Sequence, residues 1–266
     1  MTQADVGCWQ VPEMEIHEFV HRRSRYCVCI PIINEGERII QQLRRMYEIR
    51  IHDLADILIL DGGSTDGSTD AVLLRSLGVR ALLIKRGPGR LSAQLRMGYA
   101  FGLRQGYEGI VTVDGNGKDG IEAVPRFLEE LDLGYDLVQG SRYLSSGSAA
   151  NTPLLRILAI RLIHVPLIRW ASGFPYTDTT NGFRAYSRRL LLDARVQPFR
   201  NVFQTYELLA YLSVRAPTTG HKVVEIGVRR EYPGKGKAPT KISHFRGNLD
   251  LLTTLYRVVS GRLNPA

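Results

Sequence analysis

The chain has 266 residues, of which 44% are hydrophobic and 23% are charged, and its formal net charge is +9. This length and composition exclude a disordered or fibrous chain and predict a folded protein with a sizeable core, in one large or two small domains. The positive charge predicts an anionic partner, such as a nucleotide, a nucleic acid or an acidic membrane surface.

The cysteines and the N-terminus bear on the compartment. Cys8, Cys27 and Cys29 form no disulfide framework, and the last two alternate with Val28, so they are expected to share one strand face as reduced core residues. The first twelve residues lack a signal peptide's apolar stretch, which predicts a cytoplasmic protein. The sequence has no run of roughly 18–20 apolar residues, so no spanning helix is expected.

The first half of the chain alternates between strand and helix patterns. A polar lead-in, residues 1–25, is expected to be loosely ordered. Strands are then predicted at residues 26–33, 56–61, 79–85, 109–114 and 136–140, with helices at 35–51, from about 68, at 91–105 and at 121–131. This alternation predicts an α/β fold with a mostly parallel central sheet flanked by helices on both faces.

The rhythm changes after Ser146, where a C-terminal helical elaboration is predicted. It comprises an apolar helix at 154–170, a polar loop at 176–186, a helix at 202–214, a strand at 223–229, a loop at 231–240 and a final helix at 244–260. No linker-like composition separates the two halves. Residues 26–266 are therefore predicted to form a single domain.

Acidic side chains follow several of the predicted strands. Ile110 to Val113 run directly into Asp114, which is typical of a buried parallel strand that ends at the sheet edge where α/β proteins bind ligands. An ionised carboxylate there needs a metal, a diphosphate–metal complex or an arginine as its partner. Asn34, Asp61 and Asp66 also have a structural interpretation as cap and turn residues. Their convergence with Asp114 on one edge instead favours a ligand site.

Three other classes of site do not fit the sequence. The glycine loop at residues 86–90 lacks the spacing of a dinucleotide fingerprint or a P-loop. A calcium loop opening at Asp114 is excluded, because Lys118, Asp119 and Pro125 stand where a ligand, the turn glycine and the bidentate Glu belong. The basic residues are scattered without interleaved aromatics, so no nucleic-acid partner is expected.

Five short motifs occur in a fixed order: residues 31–35, residues 61–68 (Asp-Gly-Gly-Ser-Thr-Asp-Gly-Ser), Asp114-x-Asn116, residues 140–143 and residues 181–186 (Asn-Gly-Phe-Arg-Ala-Tyr). Together they resemble the family 2 glycosyltransferases, in particular the dolichol-phosphate mannose synthase branch, over about residues 26–245. The resemblance implies a GT-A fold and an inverting enzyme. It would transfer a sugar from a nucleotide-diphosphate sugar to a polyprenyl-phosphate or other lipid-linked acceptor, in cell-envelope or surface polysaccharide biosynthesis.

The resemblance also implies a division of the domain into a donor-binding part, residues 26–145, and an acceptor- and membrane-facing part, residues 146–266. Asp114 is expected at the donor diphosphate. The other residues expected to bind the donor are Pro31, Asn34, Glu35, Asp61, Gly63, Asp66, Arg90 and Arg142.

The family resemblance implies a divalent cation, Mg²⁺ or Mn²⁺. Asn116 and Lys118 depart from the family's pattern at this site. The family usually has a second Asp where this chain has Asn116, and often Gln where it has Lys118. Asp114 and Asn116 can still offer oxygen ligands to a hard cation. Alternatively, the Lys118 ammonium neutralises the leaving diphosphate. The sequence leaves both possibilities open.

The acceptor side is expected to involve Asp178 and several cations. Arg184, like Arg142, is expected to hold phosphate oxygens. Asp178 is the candidate general base if the acceptor is a sugar hydroxyl of a glycan, whereas a lipid phosphate needs none. Arg230 and Lys241 belong to a basic loop that is expected to close over the phosphates. The alternative from another class is a non-catalytic nucleotide- or lipid-binding protein of the same fold.

The apolar segment 154–170 is too short and too charged to span a membrane, and Pro166 is expected to interrupt it. Its apolar bulk, basic residues and terminal Trp170 favour a helix in the headgroup region. This predicts a peripheral protein on the cytoplasmic face of a membrane. A core helix and a homo-oligomer interface are the alternatives.

Overall fold

The computed structural model describes residues 9–232 and 246–265. Its main sheet has eight strands: β1 (Met14–Glu18), β2 (Tyr26–Ile32), β3 (Asp56–Asp61), β4 (Val79–Lys85), β5 (Gly109–Thr112), β6 (Leu137–Ser141), β8 (Arg184–Ser187) and β9 (Val223–Gly227). Their order is β1-β4-β3-β2-β5-β8-β6-β9. β1 is antiparallel to β4, and β8 is antiparallel to both of its neighbours. A small parallel sheet pairs β7 (Ser148–Ala150) with β10 (Arg229–Glu231).

The α-helices are α1 (Glu37–Glu48), α2 (Ile51–Leu54), α3 (Ala71–Ser76), α4 (Leu91–Arg104), α5 (Val124–Asp132), α6 (Leu154–Ala159), α7 (Val165–Ser172), α8 (Arg188–Leu192), α9 (Glu207–Thr218) and α10 (Arg246–Val259). A 3₁₀ turn, Ile121–Ala123, precedes α5, and a π-helical turn, Ile160–His164, joins α6 to α7.

Alternate residues of each strand point to opposite faces of the sheet. Both faces are buried, because helices cover each of them. Cys27 and Cys29 face the core that contains α4 and α9, whereas Val28 and Ile30 face the core beneath α1 and α5. Both cysteines are buried and free, which confirms the interpretation as reduced core residues. Gly98 lets α4 lie close against β3, because a Cβ there would overlap the Leu60 side chain. The predicted α/β class with a mostly parallel, helix-flanked sheet is confirmed.

Three expectations about individual elements are wrong. Met14–Glu18, assigned to a loosely ordered lead-in, forms an edge strand whose Glu18 pairs with the buried Arg80. The polar loop at 176–186 ends in β8, in the interior of the sheet. The helix expected at 202–214 begins only at Glu207, because the Glu207 carboxylate accepts hydrogen bonds from Thr205 that fix the chain just before the first turn.

Pro166 does not break the helical segment as expected. The chain stays helical through residues 154–172, and Pro166 lies in the first turn of α7, directly after the π turn. A proline is tolerated there, because its missing N–H falls where the hydrogen-bond register changes. Within residues 9–232 and 246–265, no helix is long and apolar enough to cross a membrane.

Candidate active site

The loops after β2 and β3 are joined by side-chain to backbone hydrogen bonds. Asn34 Oδ1 accepts from the Thr65 N–H (2.8 Å), and Asp66 Oδ2 accepts from the Gly36 N–H (2.7 Å). The buried Asp61 carboxylate accepts from the N–H groups of Gly63 and Ser64. These side chains therefore shape the edge of the sheet, as their structural interpretation requires.

Asp114 lies at the same edge, two residues past the end of β5, and β2 separates β5 from β3. Its Oδ2 accepts from Arg230 Nη2 at 2.8 Å, and Arg230 Nη1 lies 2.6 Å from both oxygens of Asp119. Lys118, which is also nearly buried, places its Nζ 4.9 Å from the centre of the Tyr232 ring. Two carboxylates and two cations thus share one small volume, which we call the Asp114–Arg230 cluster.

The two carboxylates of this cluster differ in their pKa values. Burial opposes ionisation of Asp114, but the charge and hydrogen bond of Arg230, together with Lys118 and Asn116, outweigh it and keep the pKa of Asp114 below its usual range. Burial dominates at Asp119 and, together with repulsion from Asp114, raises the pKa of Asp119 in spite of Arg230. The Asp114 side chain keeps 26% of its surface exposed, whereas that of Asp119 is fully buried. Asp114 is therefore the carboxylate that a ligand can reach.

Asn116 is oriented by the same loop. Its Nδ2 lies 3.4 Å from Asp114 Oδ2 as a donor, and its Oδ1 accepts from the Lys118 N–H at 3.3 Å. Gln42 Oε1, on α1, accepts from the Gly117 N–H and fixes the turn from behind. The amide of Asn116 is thus committed to local contacts on both sides.

Arg142 and Asp178 form a second, fully buried pair. Arg142 Nε lies 2.6 Å from Asp178 Oδ2, and Nη2 lies 2.9 Å from Oδ1 and 2.7 Å from Thr180 Oγ1. Burial opposes both charges, yet the mutual hydrogen bonds raise the pKa of Arg142 and lower the pKa of Asp178. Arg142 acts on Asp119 electrostatically, so this pair adjoins the Asp114–Arg230 cluster.

Arg184 is a buried clamp on the loop that carries Asp178. Its guanidinium donates to the carbonyl oxygens of Thr179, Asn181 and Leu209 and to Ser213 Oγ, over 2.6–2.9 Å. These bonds tie the loop before β8 to α9. They engage the guanidinium with protein oxygens, where the sequence predicted phosphate oxygens.

The remaining predicted site residues are spread along the edge. Pro31 is buried at the end of β2, and its carbonyl oxygen lies next to Gly115. Glu35 pairs with Arg38. Gly63 lies in the turn after β3, and the Arg90 side chain is exposed before α4. Lys241 lies outside the described residues.

Some residues of the site were not singled out from the sequence. Asp119 is one of them, because its pairing with Arg230 joins positions 111 residues apart. Gly182 packs against Asp114, because a Cβ there would lie 2.8 Å from Asp114 Oδ1. Glu225 accepts hydrogen bonds from the backbone of Thr177 and Asp178. Only Gly182, as part of a family motif, had a sequence signal.

Two curated relatives align with most of the chain, although no family model matches the sequence. The polyprenol monophosphomannose synthase of Mycolicibacterium smegmatis is 29% identical over 214 residues, which cover 79% of this chain and 78% of the relative. The undecaprenyl-phosphate mannosyltransferase of Micrococcus luteus is 28% identical over 217 residues, 77% of this chain and 82% of the relative.

Solved structures share the fold at lower identity. Glucosyl-3-phosphoglycerate synthase from Mycobacterium tuberculosis, in complex with Mn²⁺, uridine diphosphate and phosphoglyceric acid, superposes with a TM-score of 0.60 at 17% identity. The match covers 90% of this chain and 77% of that one. The protein is therefore a glycosyltransferase of the GT-A fold. These relatives and solved structures are consistent with the family 2 glycosyltransferases that the motifs resemble.

Proposed function

We propose that the protein is an inverting glycosyltransferase that moves a sugar from a nucleotide-diphosphate sugar to a polyprenyl phosphate at a membrane surface. The observation that carries this proposal is the Asp114–Arg230 cluster at the carboxyl edge of the sheet. It combines two nearly buried cations with a reachable carboxylate where α/β sheets bind ligands. The two curated relatives are named for sugar transfer to polyprenyl phosphates, which supports this acceptor class.

The state of Asp178 favours an anionic acceptor. A general base needs a free lone pair and a pKa near the working pH. Both oxygens of Asp178 accept from Arg142, and the pair lowers the pKa of Asp178. A phosphate oxygen is already anionic, so it can attack the anomeric carbon without losing a proton to the protein. Transfer to a sugar hydroxyl would demand a base that Asp178 is poorly placed to provide.

In the proposed reaction an oxygen of the acceptor phosphate attacks the anomeric carbon from the face opposite the nucleotide. The bond between that carbon and the diphosphate oxygen breaks, and its electron pair remains on the departing diphosphate. The developing negative charge is the feature that catalysis must stabilise. Lys118 and Arg230 are the buried cations beside Asp114 that suit this role.

A divalent cation is a component of the mycobacterial complex, as its Mn²⁺ shows, and Asp114 with Asn116 would be its ligands here. The donor set does not fit such an ion. Asp114 is ion-paired with Arg230, and both polar atoms of the Asn116 amide have partners in the loop. Among the residues that the structure describes, no group of three or more His, Cys, Asp and Glu side chains is arranged to hold a metal.

Membrane contact is proposed through the outer face of α6, the π turn and α7, together with α10, which packs against α7. Large apolar side chains are exposed along this face: Leu154, Leu158, Leu162, Ile163, Leu167, Trp170, Leu251, Leu252 and Tyr256. A patch of this kind on a basic protein suits an anionic bilayer surface, where the apolar groups enter the headgroup region. Arg161, which lies over the Tyr143 ring, supplies positive charge on the same segment.

The transfer step is tested with UDP-, GDP- and dTDP-sugars and a polyprenyl phosphate, by following nucleoside diphosphate release and labelled lipid product. We expect product from one donor class and its loss in Asp114→Asn. Asp53→Asn is the matched control, because Asp53 is an exposed carboxylate on α2, which precedes the opposite end of β3. Donor turnover only with sugar-hydroxyl acceptors would contradict the proposed acceptor.

The membrane proposal is tested by co-sedimentation with vesicles of anionic or zwitterionic lipid. Leu162→Ser should weaken binding to anionic vesicles by about tenfold, because a leucine that partly enters the headgroup region contributes about 1.5 kcal/mol, the lower end of the range for burying such a side chain. Leu133→Ser, at a leucine with the same 70% exposure on another surface, should have no effect. A concentration-dependent dimer that Leu162→Ser dissolves, without vesicle binding, would assign this face to a homo-oligomer instead.

A further inference from the structure

Arg230 is held at the donor site by its backbone as well as by its side chain. The Glu231 N–H donates to the Lys118 carbonyl oxygen, and the Gly120 N–H donates to the Arg229 carbonyl oxygen, both at 2.9 Å. β10 pairs with β7 on its other side. The segment is thus held between β7 and the loop after Asp114, and Arg230 points into the site as part of a short three-stranded arrangement.

The charges of the Asp114–Arg230 cluster balance without an added ion. Arg230 and Lys118 supply two positive charges against the carboxylates of Asp114 and Asp119, which is the charge that a divalent cation would bring. The guanidinium bonds Asp119 with Nη1 and Asp114 with Nη2. A planar guanidinium can also donate two parallel hydrogen bonds to phosphate oxygens, whereas a carboxylate has no proton to donate and repels the phosphate.

We propose that Arg230, assisted by Lys118, is the resident cation of the donor site, and that the nucleotide-diphosphate sugar binds without a divalent metal. This inference rests on the proposed function, since it assigns the group that binds the donor diphosphate. Asp119 remains the anchor that orients the guanidinium, whereas Asp114, which is partly exposed, shares Arg230 with the incoming diphosphate. When the glycosidic bond breaks, the electron pair left on the diphosphate lies beside Arg230 and Lys118.

A resident Arg230 accounts for the two departures from the family motif. An aspartate at position 116 would add a third negative charge to the cluster, and a neutral residue at 118 would remove a cation. Asn116 and Lys118 together shift the site by two positive charges relative to an Asp–Gln pair. A metal would then have to displace Arg230 from Asp114 and lie beside a buried guanidinium that Asp119 still holds in place, and the repulsion between these two cations is costly.

The test is direct binding of UDP, GDP and dTDP by calorimetry, in EDTA and in Mg²⁺ or Mn²⁺. Wild-type protein should bind its preferred nucleotide equally well in all three. Arg230→Gln should weaken binding in EDTA by about 10- to 100-fold, the range for a lost hydrogen bond to a charged group. Arg229→Gln is the matched control, because Arg229 is the neighbouring arginine of β10 and is largely exposed.

Because Arg230→Gln leaves Asp119 buried without its partner, the double variant Asp119→Asn with Arg230→Gln is measured as well. It should fold, as followed by circular dichroism, and should bind as weakly as the single variant. Wild-type binding that EDTA abolishes, or undiminished binding by the folded double variant, would overturn the inference. Binding reports on Arg230, whereas transfer to polyprenyl phosphate reports on the proposed function. EDTA-sensitive transfer would reject the former alone, and EDTA-resistant nucleotide binding without transfer would reject the latter alone.

Discussion

Asp178 shows at the scale of a single residue how one contact changes the chemistry expected of a side chain. A strand-edge aspartate near an acceptor motif suggested a general base. In the fold both carboxylate oxygens are occupied by Arg142, and neighbouring backbone groups are fixed by Glu225. We infer that Asp178 positions Arg142 and the loop before β8.

Asp178→Asn should therefore cost stability and spare chemistry. A buried ion pair that loses one partner destabilises by about 3–5 kcal/mol, because the other charge is left without compensation. We expect a clear drop in the melting temperature, with transfer to a polyprenyl phosphate retained well below it. Asp136→Asn, which breaks a separate pair with Arg189, is the stability control. Loss of transfer in Asp178→Asn, with Asp136→Asn active, would restore the catalytic role.

Gly182 provides a second test at the scale of a residue. An alanine Cβ would lie 2.8 Å from Asp114 Oδ1 and would push the carboxylate away from its present position. Gly182→Ala should therefore weaken nucleoside diphosphate binding by about tenfold, since it disturbs a charge-assisted hydrogen bond with Arg230. The same substitution in an Asp114→Ala background should add little, which a double-mutant cycle measures. Additive losses would place the effect of Gly182 elsewhere.

The π turn between α6 and α7 is an element with a consequence for stability. It brings His164 Nδ1 within 2.6 Å of Thr179 Oγ1, in the loop that carries Asp178. Burial, with a smaller contribution from the charge of Arg184, lowers the pKa of His164 to about 4 from 6.5. The ring is therefore neutral in the folded protein at neutral pH.

This shift predicts a pH dependence of unfolding. Between pH 6.5 and 4 the unfolded chain binds a proton at His164 that the folded protein does not, so stability falls as the pH falls. The stability lost in this way is at most roughly 3 kcal/mol, and the loss is complete once the pH lies below the folded pKa. His164→Gln should flatten the slope of the free energy of unfolding in this window, measured by urea denaturation.

His221 should behave in the opposite sense, which makes it an internal comparison. Its hydrogen bond with Asp136, reinforced by Asp193, raises the pKa of His221 despite partial burial. Its contribution to stability is thus fully present below the unfolded pKa and is lost as the pH rises through the higher folded value. The two histidines therefore report on different parts of the fold. His164 reports on the loop that carries Asp178, and His221 reports on the segment around Asp136, just before β6.

Across the whole molecule, the sequence predicted what depends on periodicity and missed what depends on distant pairing. Apolar runs and strand-end turns located β2 to β6, since each signal lies within one segment. β1 was missed because its charged residues suit an edge strand, and β8 because it is short and follows a polar loop. Arg230 was expected near phosphates, but its pairing with Asp114 and Asp119 needs the tertiary fold. The pairing of Asp178 with Arg142 likewise needs the tertiary fold.

The apolar face and the donor site belong to one molecule, and their combination predicts how acceptor length should matter. A long polyprenyl phosphate stays in the bilayer, so under the proposed function the enzyme reaches it by docking through residues such as Leu162 and Trp170, which are exposed. A short, water-soluble polyprenyl phosphate needs no docking. Leu162→Ser should therefore lower the apparent kcat/KM for long-chain acceptor in anionic vesicles by about tenfold and leave the short-chain value unchanged. Leu133→Ser should change neither value. An equal loss with both acceptors would mean that Leu162 supports the site through the fold, because only membrane docking distinguishes the two chain lengths.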